Sequence, residues 1–256
     1  MTETASSRQR AINRSWLVRL GKRLRKRINP YLKHHSKVGD TAILDRRYFP
    51  WIDDLENDWT AIRDEALAVL RHRAAIPPLA DLSPDHRGLD DQRKWRSFFL
   101  WGYGFRVDEN CARCPATAER VERIPGLKTA LFSIHEPGMA IPPHRGVTAS
   151  MCILHLGLKV PRDRANCAIR VDAEIRYWKE GEAFVFDDTR DHETWNRTGE
   201  DRVILLVQFD RPLRFPASLV AWIFMQAIRR SAFVGDARKR LGSWDAAFRR
   251  LEKADE

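Results

Sequence analysis

The sequence predicts a mainly β fold with flanking helices, its strands arranged as a sandwich or barrel. Two observations carry this. Between Lys128 and Asp210, seven short apolar or alternating runs follow one another, separated by turn residues and with little helical spacing between them. On either side of that region the apolar residues recur at helical intervals instead.

The elements follow in chain order. Ile12, Trp16, Leu20, Leu24 and Ile28 recur at every fourth position, with Arg14, Arg19, Lys22, Arg23, Arg25, Lys26 and Arg27 among them. This spacing predicts a basic amphipathic helix over residues 12–28, ended by Asn29-Pro30. Such a helix fits a membrane surface, docking on its own domain, or nucleic acid, and its pattern leaves these open. A second amphipathic helix is predicted over 53–76, capped by Asp53 or Asp54 and stopped by Pro77-Pro78. Its stripe of Leu55, Trp59, Ile62, Ala66 and Leu70 reads as core. Pro77 to Asp91 reads as a loop, and "KWRSFFLWGYG" (Lys94 to Gly104) as a strand and turn. The seven strand segments are "TALFSI", "SMCILHLGLKV", "CAIRVDA", "IRYWKE", "EAFVFDD", "HETWNRT" and "RVILLVQFD". After Pro212 helical spacing returns. "PASLVAWIFMQAI" (Pro216 to Ile228) is apolar nearly all round but too short to span a bilayer, so it is buried or lies at a membrane interface. The expected organisation is a basic amphipathic segment (1–39), a helical and loop region packing on the barrel (40–127), the barrel itself (128–212) and a C-terminal helical region (213–256).

Charge narrows the function classes. Residues 1–39 hold eleven Lys/Arg and one acid, Glu3, while the net charge of the whole chain is +10. Residues 212–256 hold nine basic and five acidic residues, which leaves 40–211 slightly acidic. A nucleic-acid-binding body is therefore not expected; basic ends that touch an anionic surface are. No signal peptide and no spanning helix is expected. Four cysteines do not make a disulfide framework, which fits a reducing cytoplasm. The expected localisation is cytoplasmic, with peripheral contact on the inner membrane face.

Three residues of the strand-rich region point to chemistry. His144 follows Pro142-Pro143 and is expected in a loop before a strand; His192 follows "FDDTRD"; Arg202 opens the last strand. Two histidines on neighbouring strand ends could hold one iron at the mouth of a barrel, leaving positions open for a keto-acid cosubstrate and O₂. An arginine further along suits the distal carboxylate of that cosubstrate, because its fork donates two parallel hydrogen bonds. A structural, hydrogen-bonded histidine in a barrel has the same spacing, and spacing alone does not separate the two.

"FSIHEPGMAIPPHRG", "HLGLKVP", "IRYWKEGEAFVFDDTRDHETWN" and "DRVILLVQFDRP" together resemble the aspartyl/asparaginyl β-hydroxylase family. The ordered gaps match as well: eleven residues from His144 to His155, 48 from His144 to His192, ten from His192 to Arg202. The resemblance implies a double-stranded β-helix (jelly-roll or cupin-like) fold and a dioxygenase using Fe(II), 2-oxoglutarate and O₂ to hydroxylate an unactivated C–H. It implies His144 and His192 as iron ligands, and Ser133, His155 and Arg202 as 2-oxoglutarate contacts. It also implies a site of two histidines without a carboxylate, since Gly146 stands two residues after His144 and no Asp or Glu occurs between Pro137 and Arg162. Asp187, Asp188 and Asp191 are alternatives for that carboxylate; Asp187 and Asp188 otherwise read as turn or supporting hydrogen-bond partners of His192.

One position departs from the family. Ile153 stands where an arginine is usual, on the strand face of His155. A rearranged cosubstrate site, with Arg145 or Arg170 as a shifted donor, is one reading; a catalytically silent barrel acting as a binding module is another. Two branches of the family frame the substrate: aspartyl or asparaginyl side chains of proteins, and acyl chains of membrane lipids such as lipid A or ornithine lipids. The basic ends favour the lipid branch. Cys111-x-x-Cys114 lacks a second such pair and reads as buried or redox-sensitive thiols. His34-His35 reads as solvated, His135 as pocket-lining or structural, and Trp95, Trp101, Trp178 and Trp195 as packing residues.

Overall fold

The structure, a computed structural model, describes residues 25–82, 88–90, 92–102 and 104–229. Most of the helix expected over 12–28, and the chain after Arg229, lie outside the described residues. Eleven strands form two facing sheets: β1 (Ile43–Leu44), β2 (Trp95–Gly102), β3 (Phe105–Arg106), β4 (Leu127–His135), β5 (Ala140–His144), β6 (Met151–Lys159), β7 (Cys167–Val171), β8 (Glu174–Tyr177), β9 (Ala183–Phe186), β10 (His192–Asn196) and β11 (Arg202–Asp210). Their orders are β1-β9-β6-β11-β4-β2-β3 and β5-β10-β7-β8. Every ladder between these strands is antiparallel. The core is a double-stranded β-helix of jelly-roll type, and all seven expected strand segments form within it, as β4 and β6 to β11. The larger sheet also recruits β1, β2 and β3 from before residue 128.

The larger sheet is buried on both faces, which is why its central strands are continuously apolar rather than alternating. Leu154, Leu156, Leu205, Val207 and Phe132 point to one side and meet Leu55, Ile62, Ala66 and Val121 of the helical layer. Ile153, Phe186 and Ile204 point to the other and meet Cys167, Ile169, Val171 and Trp178 between the sheets. Each fully buried aliphatic side chain contributes about 1.5–3 kcal/mol.

The predicted helix over 53–76 is broken. It forms α2 (Ile52–Asn57), α3 (Trp59–Arg71) and a short 3₁₀ turn (Arg73–Ala75), with Asp58 at φ −102° and ψ 13° between the first two. Asp53 and Asp54 lie in the first turn of α2 rather than capping it. The stripe is core as expected: Leu55, Ile62 and Ala66 are buried. Within the expected loop after Pro77, Leu79–Leu82 is helical (α4), and α5 (Asp108–Arg113) and α6 (Pro115–Glu122) follow β3.

Asn29-Pro30 does not end a helix. Residues 25–34 are helical (α1), and Pro30 lies within them. Pro30 cannot donate its internal bond, but the turn beyond it is held by Leu32, fully buried against Ala149, Leu213, Ala217 and Ala221. The last two belong to the C-terminal helix (Ala217–Arg229). Among the described residues no helix is long and apolar enough to cross a membrane.

His144 is not in a loop. It ends β5, an edge strand that admits Pro142 and Pro143 because an edge leaves some N–H positions unpaired. That edge strand pairs with β10 in a register that sets His144 directly opposite His192.

Candidate active site

The site lies between the sheets, where β5 and β10 bring two imidazoles together. The His144 and His192 ring centroids are 4.1 Å apart. Each ring is fixed by the same local device. His144 Nδ1 lies 2.9 Å from the Pro142 carbonyl, and His192 Nδ1 lies 3.0 Å from the Arg190 carbonyl. A carbonyl only accepts, so each Nδ1 carries the proton and each Nε2 keeps its lone pair. Burial lowers the pKa of both, and His192 falls to about 4, with the charge of His144 adding to the effect. Neutral imidazoles with free Nε2 atoms are the form a divalent iron needs.

The carboxylate question has a structural answer. A Cβ on Gly146 would lie 2.1 Å from Asp188 Oδ2, so the Asp188 carboxyl fills the space a side chain there would take. Asp188 is buried, its Oδ1 has no partner among the described residues, and burial followed by the Asp187 charge pushes its pKa up to about 7. Asp187 is otherwise engaged: Oδ1 accepts from the Thr189 N–H and hydroxyl, and Oδ2 lies 2.9 Å from both Lys33 and Arg211. Asp191 is paired with Arg170 at 2.9 Å. Among the described residues no group of three or more His, Cys, Asp and Glu side chains is arranged to hold a metal.

Arg202 opens β11 with its side chain fully buried. Its guanidinium lies 4.6 Å from the Trp178 ring centroid, and its Nε and Nη2 have no hydrogen-bond partner among the described residues. Burial pulls its pKa down to about 10, which leaves it charged. An unpaired buried cation is costly, and an anion bound beside it would offset that cost. Trp178 Nε1 also donates to His155 Nδ1 at 3.4 Å, which leaves the His155 proton on Nε2 as a donor. Ser133 Oγ accepts from Trp95 Nε1 at 3.0 Å, so its hydroxyl hydrogen stays available. Ser133 pairs with Ile204 and His135 with Arg202 across the β4–β11 ladder, and His155 lies on the far side of β11, opposite Leu206. The five predicted residues therefore converge on the space between the sheets from β4, β5, β6, β10 and β11.

Ile153 is buried beside Phe186 and Ile204. The shifted donors do not replace the missing arginine. Arg170 pairs in register with Glu193 on the outward side of β10 and binds Glu193 and Asp191. Arg145 is mostly exposed. His135 is buried in the interior, its Nδ1 without a hydrogen-bond partner among the described residues. Trp178 is more than a packing residue, since it touches both Arg202 and His155; nothing in its sequence context marks this. Thr194 Oγ1, on the strand face of His192, is also buried without a partner. The four cysteines are buried free thiols; burial raises the pKa of each.

Residues 56–212 match the family model described as aspartyl/asparaginyl beta-hydroxylase. An ornithine lipid ester-linked acyl 2-hydroxylase of Rhizobium tropici is 39% identical over 214 residues, 84% of this chain and 76% of that protein. A human aspartyl/asparaginyl beta-hydroxylase is 32% identical over 170 residues, 64% of this chain but only 22% of that protein.

Proposed function

The chain belongs to the aspartyl/asparaginyl β-hydroxylase family, and from that premise we propose that it is an Fe(II)- and 2-oxoglutarate-dependent dioxygenase. Its proposed substrate is an unactivated C–H of a membrane-lipid acyl chain, of the lipid A or ornithine-lipid type. One observation carries the reading: two neutral imidazoles with free Nε2 atoms lie between the same two sheets as a buried arginine whose Nε and Nη2 are unpaired among the described residues.

Ferrous iron, with O₂ and 2-oxoglutarate, would supply the oxidising power for hydroxylation. His144 and His192 would hold the metal through Nε2, with both rings held by backbone carbonyls. Arg202 would take the distal carboxylate of the cosubstrate, with Trp178 stacked behind its guanidinium. The His155 Nε2–H and the Ser133 hydroxyl would add donors to the same anion. Ile153, Phe184 and Phe186 surround these groups with apolar surface, which excludes water and strengthens the charge-assisted bonds.

The lipid assignment draws on the 39% identical acyl hydroxylase and on the basic ends of the chain, which suit the acidic cytoplasmic leaflet. Mass spectrometry of total lipids from cells with and without the gene tests it. One added oxygen on an acyl chain, lost in His192→Ala, is the expected result. Unchanged lipids together with a hydroxylated aspartyl or asparaginyl peptide would move the substrate to protein. A purified protein that forms no succinate from 2-oxoglutarate with iron would leave a silent binding module.

A further inference from the structure

The C-terminal helix, Ala217–Arg229 (α7), is apolar on two sides. Ala217, Ala221 and Met225 are buried, the first two against α1 and Ala149. Leu219, Trp222 and Ile223 share the opposite side and are 48%, 60% and 55% exposed; Phe215, just before the helix, is 79% exposed. Leu219, Trp222 and Ile223 stand at i, i+3 and i+4, so they form one continuous apolar surface. A soluble monomer rarely leaves such a surface bare.

Cations stand beside the start of this helix and on the helix packed against it. The backbones of Ser36 and Leu213 bridge, and Lys37 N–H donates to the Pro212 carbonyl at 2.9 Å. The exposed Lys37 and Arg214 are thereby set beside the start of α7, and α1 exposes Lys26 and Arg27. We propose that this outward face of α7, with the cations beside it, docks on an anionic lipid bilayer. Trp, Phe, Leu and Ile would enter the headgroup region while Lys and Arg meet the acidic lipid. A second copy of the chain is a poorer occupant, because the same cations would face each other. The chain's own remaining residues are also net basic and do not complement them.

Helix α1, against which α7 packs, is tied to the loop beside the active site. Asn29 of α1 holds both Val147 O (3.4 Å) and the Ala149 N–H (3.1 Å) in the loop that follows His144, and Val147 is 55% exposed. Docking through α7 would carry that loop to the bilayer, so the proposal rests on the lipid reading and gives it a route for the acyl chain.

Vesicle co-sedimentation of the full-length chain tests it, using phosphatidylglycerol–phosphatidylcholine vesicles and phosphatidylcholine alone. The chain should sediment with the anionic vesicles, less with the neutral ones, and less again as salt rises. The double variant Trp222→Glu/Ile223→Glu should keep its circular dichroism and its iron-dependent 2-oxoglutarate turnover yet lose at least about tenfold in partitioning. Trp222→Ser supplies the same comparison should the double variant not fold. Equal binding of wild type and variant overturns the proposal, as does no binding of the wild type. A wild-type dimer that becomes monomeric in the variant assigns the face to a second copy instead. Vesicle binding needs neither metal nor cosubstrate, so loss of turnover with intact binding strikes the hydroxylase reading alone, and the converse strikes the docking alone.

Discussion

The Asp188 carboxyl occupies the place where a side chain on Gly146 would stand, with Oδ2 2.1 Å from an ideal Cβ. The two residues flank the histidine pair, one following His144 and one preceding His192. Asp188 is short and buried, so it has little room to swing aside. Gly146→Ala should therefore cost about 1–3 kcal/mol by overpacking, and should weaken metal binding by displacing the loop before His192. Asp188→Gly in the same chain should restore much of the loss. Urea denaturation and calorimetric Mn(II) binding across the double-mutant cycle measure both; additive effects would mean that the two residues do not compete for one space.

Arg202 Nε and Nη2 have no hydrogen-bond partner among the described residues. In the wild type, 2-oxoglutarate should raise the Tm of the metal-loaded protein, because it binds only the folded state. Arg202→Met should abolish that shift without lowering the Tm of the ligand-free protein, since it removes a buried unpaired charge. Arg202→Lys keeps the charge and loses the fork, and the KM for 2-oxoglutarate should rise at least about tenfold. A KM equal to wild type in Arg202→Met would remove the residue from the cosubstrate site.

Helix α1 grips the loops beside both histidines, the one after β5 and the one before β10. Asn29 binds Val147 and Ala149 after His144, and Lys33 pairs with Asp187 ahead of His192. Asn29→Ala with Lys33→Met should cost a few kcal/mol of stability at most, about 1 kcal/mol for each bond lost. Metal affinity should fall by about tenfold, because the loops no longer orient the two rings. Circular dichroism melts and Mn(II) titration separate these effects; unchanged affinity would reduce α1 to packing.

What could be read from the sequence was local. The seven strand segments follow from apolar runs and turn residues, and the histidine and arginine positions from motif order. The residues that complete the site are set by contacts between distant parts of the chain. Asn29 meets Val147 across 118 residues, and no periodicity encodes that. Two prolines made β5 read as a loop, because their tolerance depends on its edge position, a property of the whole sheet. Helix α1 outlasts Pro30 because Leu32 is buried against α7, which helical propensity alone does not weigh. Trp178 lacks any sequence mark because its role is a stack on Arg202 and a bond to His155.

Acid should destabilise the metal-free protein well above the range where carboxylates titrate. His135 and His155 are buried, and burial holds the pKa of each well below 6.5, with the Arg202 charge acting in the same direction on both. The unfolded chain protonates these groups near 6.5, so below that pH it binds protons that the folded chain refuses. Their contribution is intact above 6.5 and is lost as pH falls toward the folded values, at about 1.4 kcal/mol per pH unit for each group. His192 acts with the same sign down to about 4. Asp188 opposes them: its folded pKa of about 7 lies above its ordinary 3.8, so falling pH stabilises the fold between those values. His144, its pKa also lowered by burial, acts with the same sign, so the histidines outweigh the one aspartate and stability falls below pH 6.5, by at most about 4 kcal/mol per unit. Urea denaturation at stepped pH should show that slope, and His135→Phe should reduce it by about 1.4 kcal/mol per unit. Stability that stays flat between pH about 6.5 and about 5 would mean that these imidazoles are not held neutral.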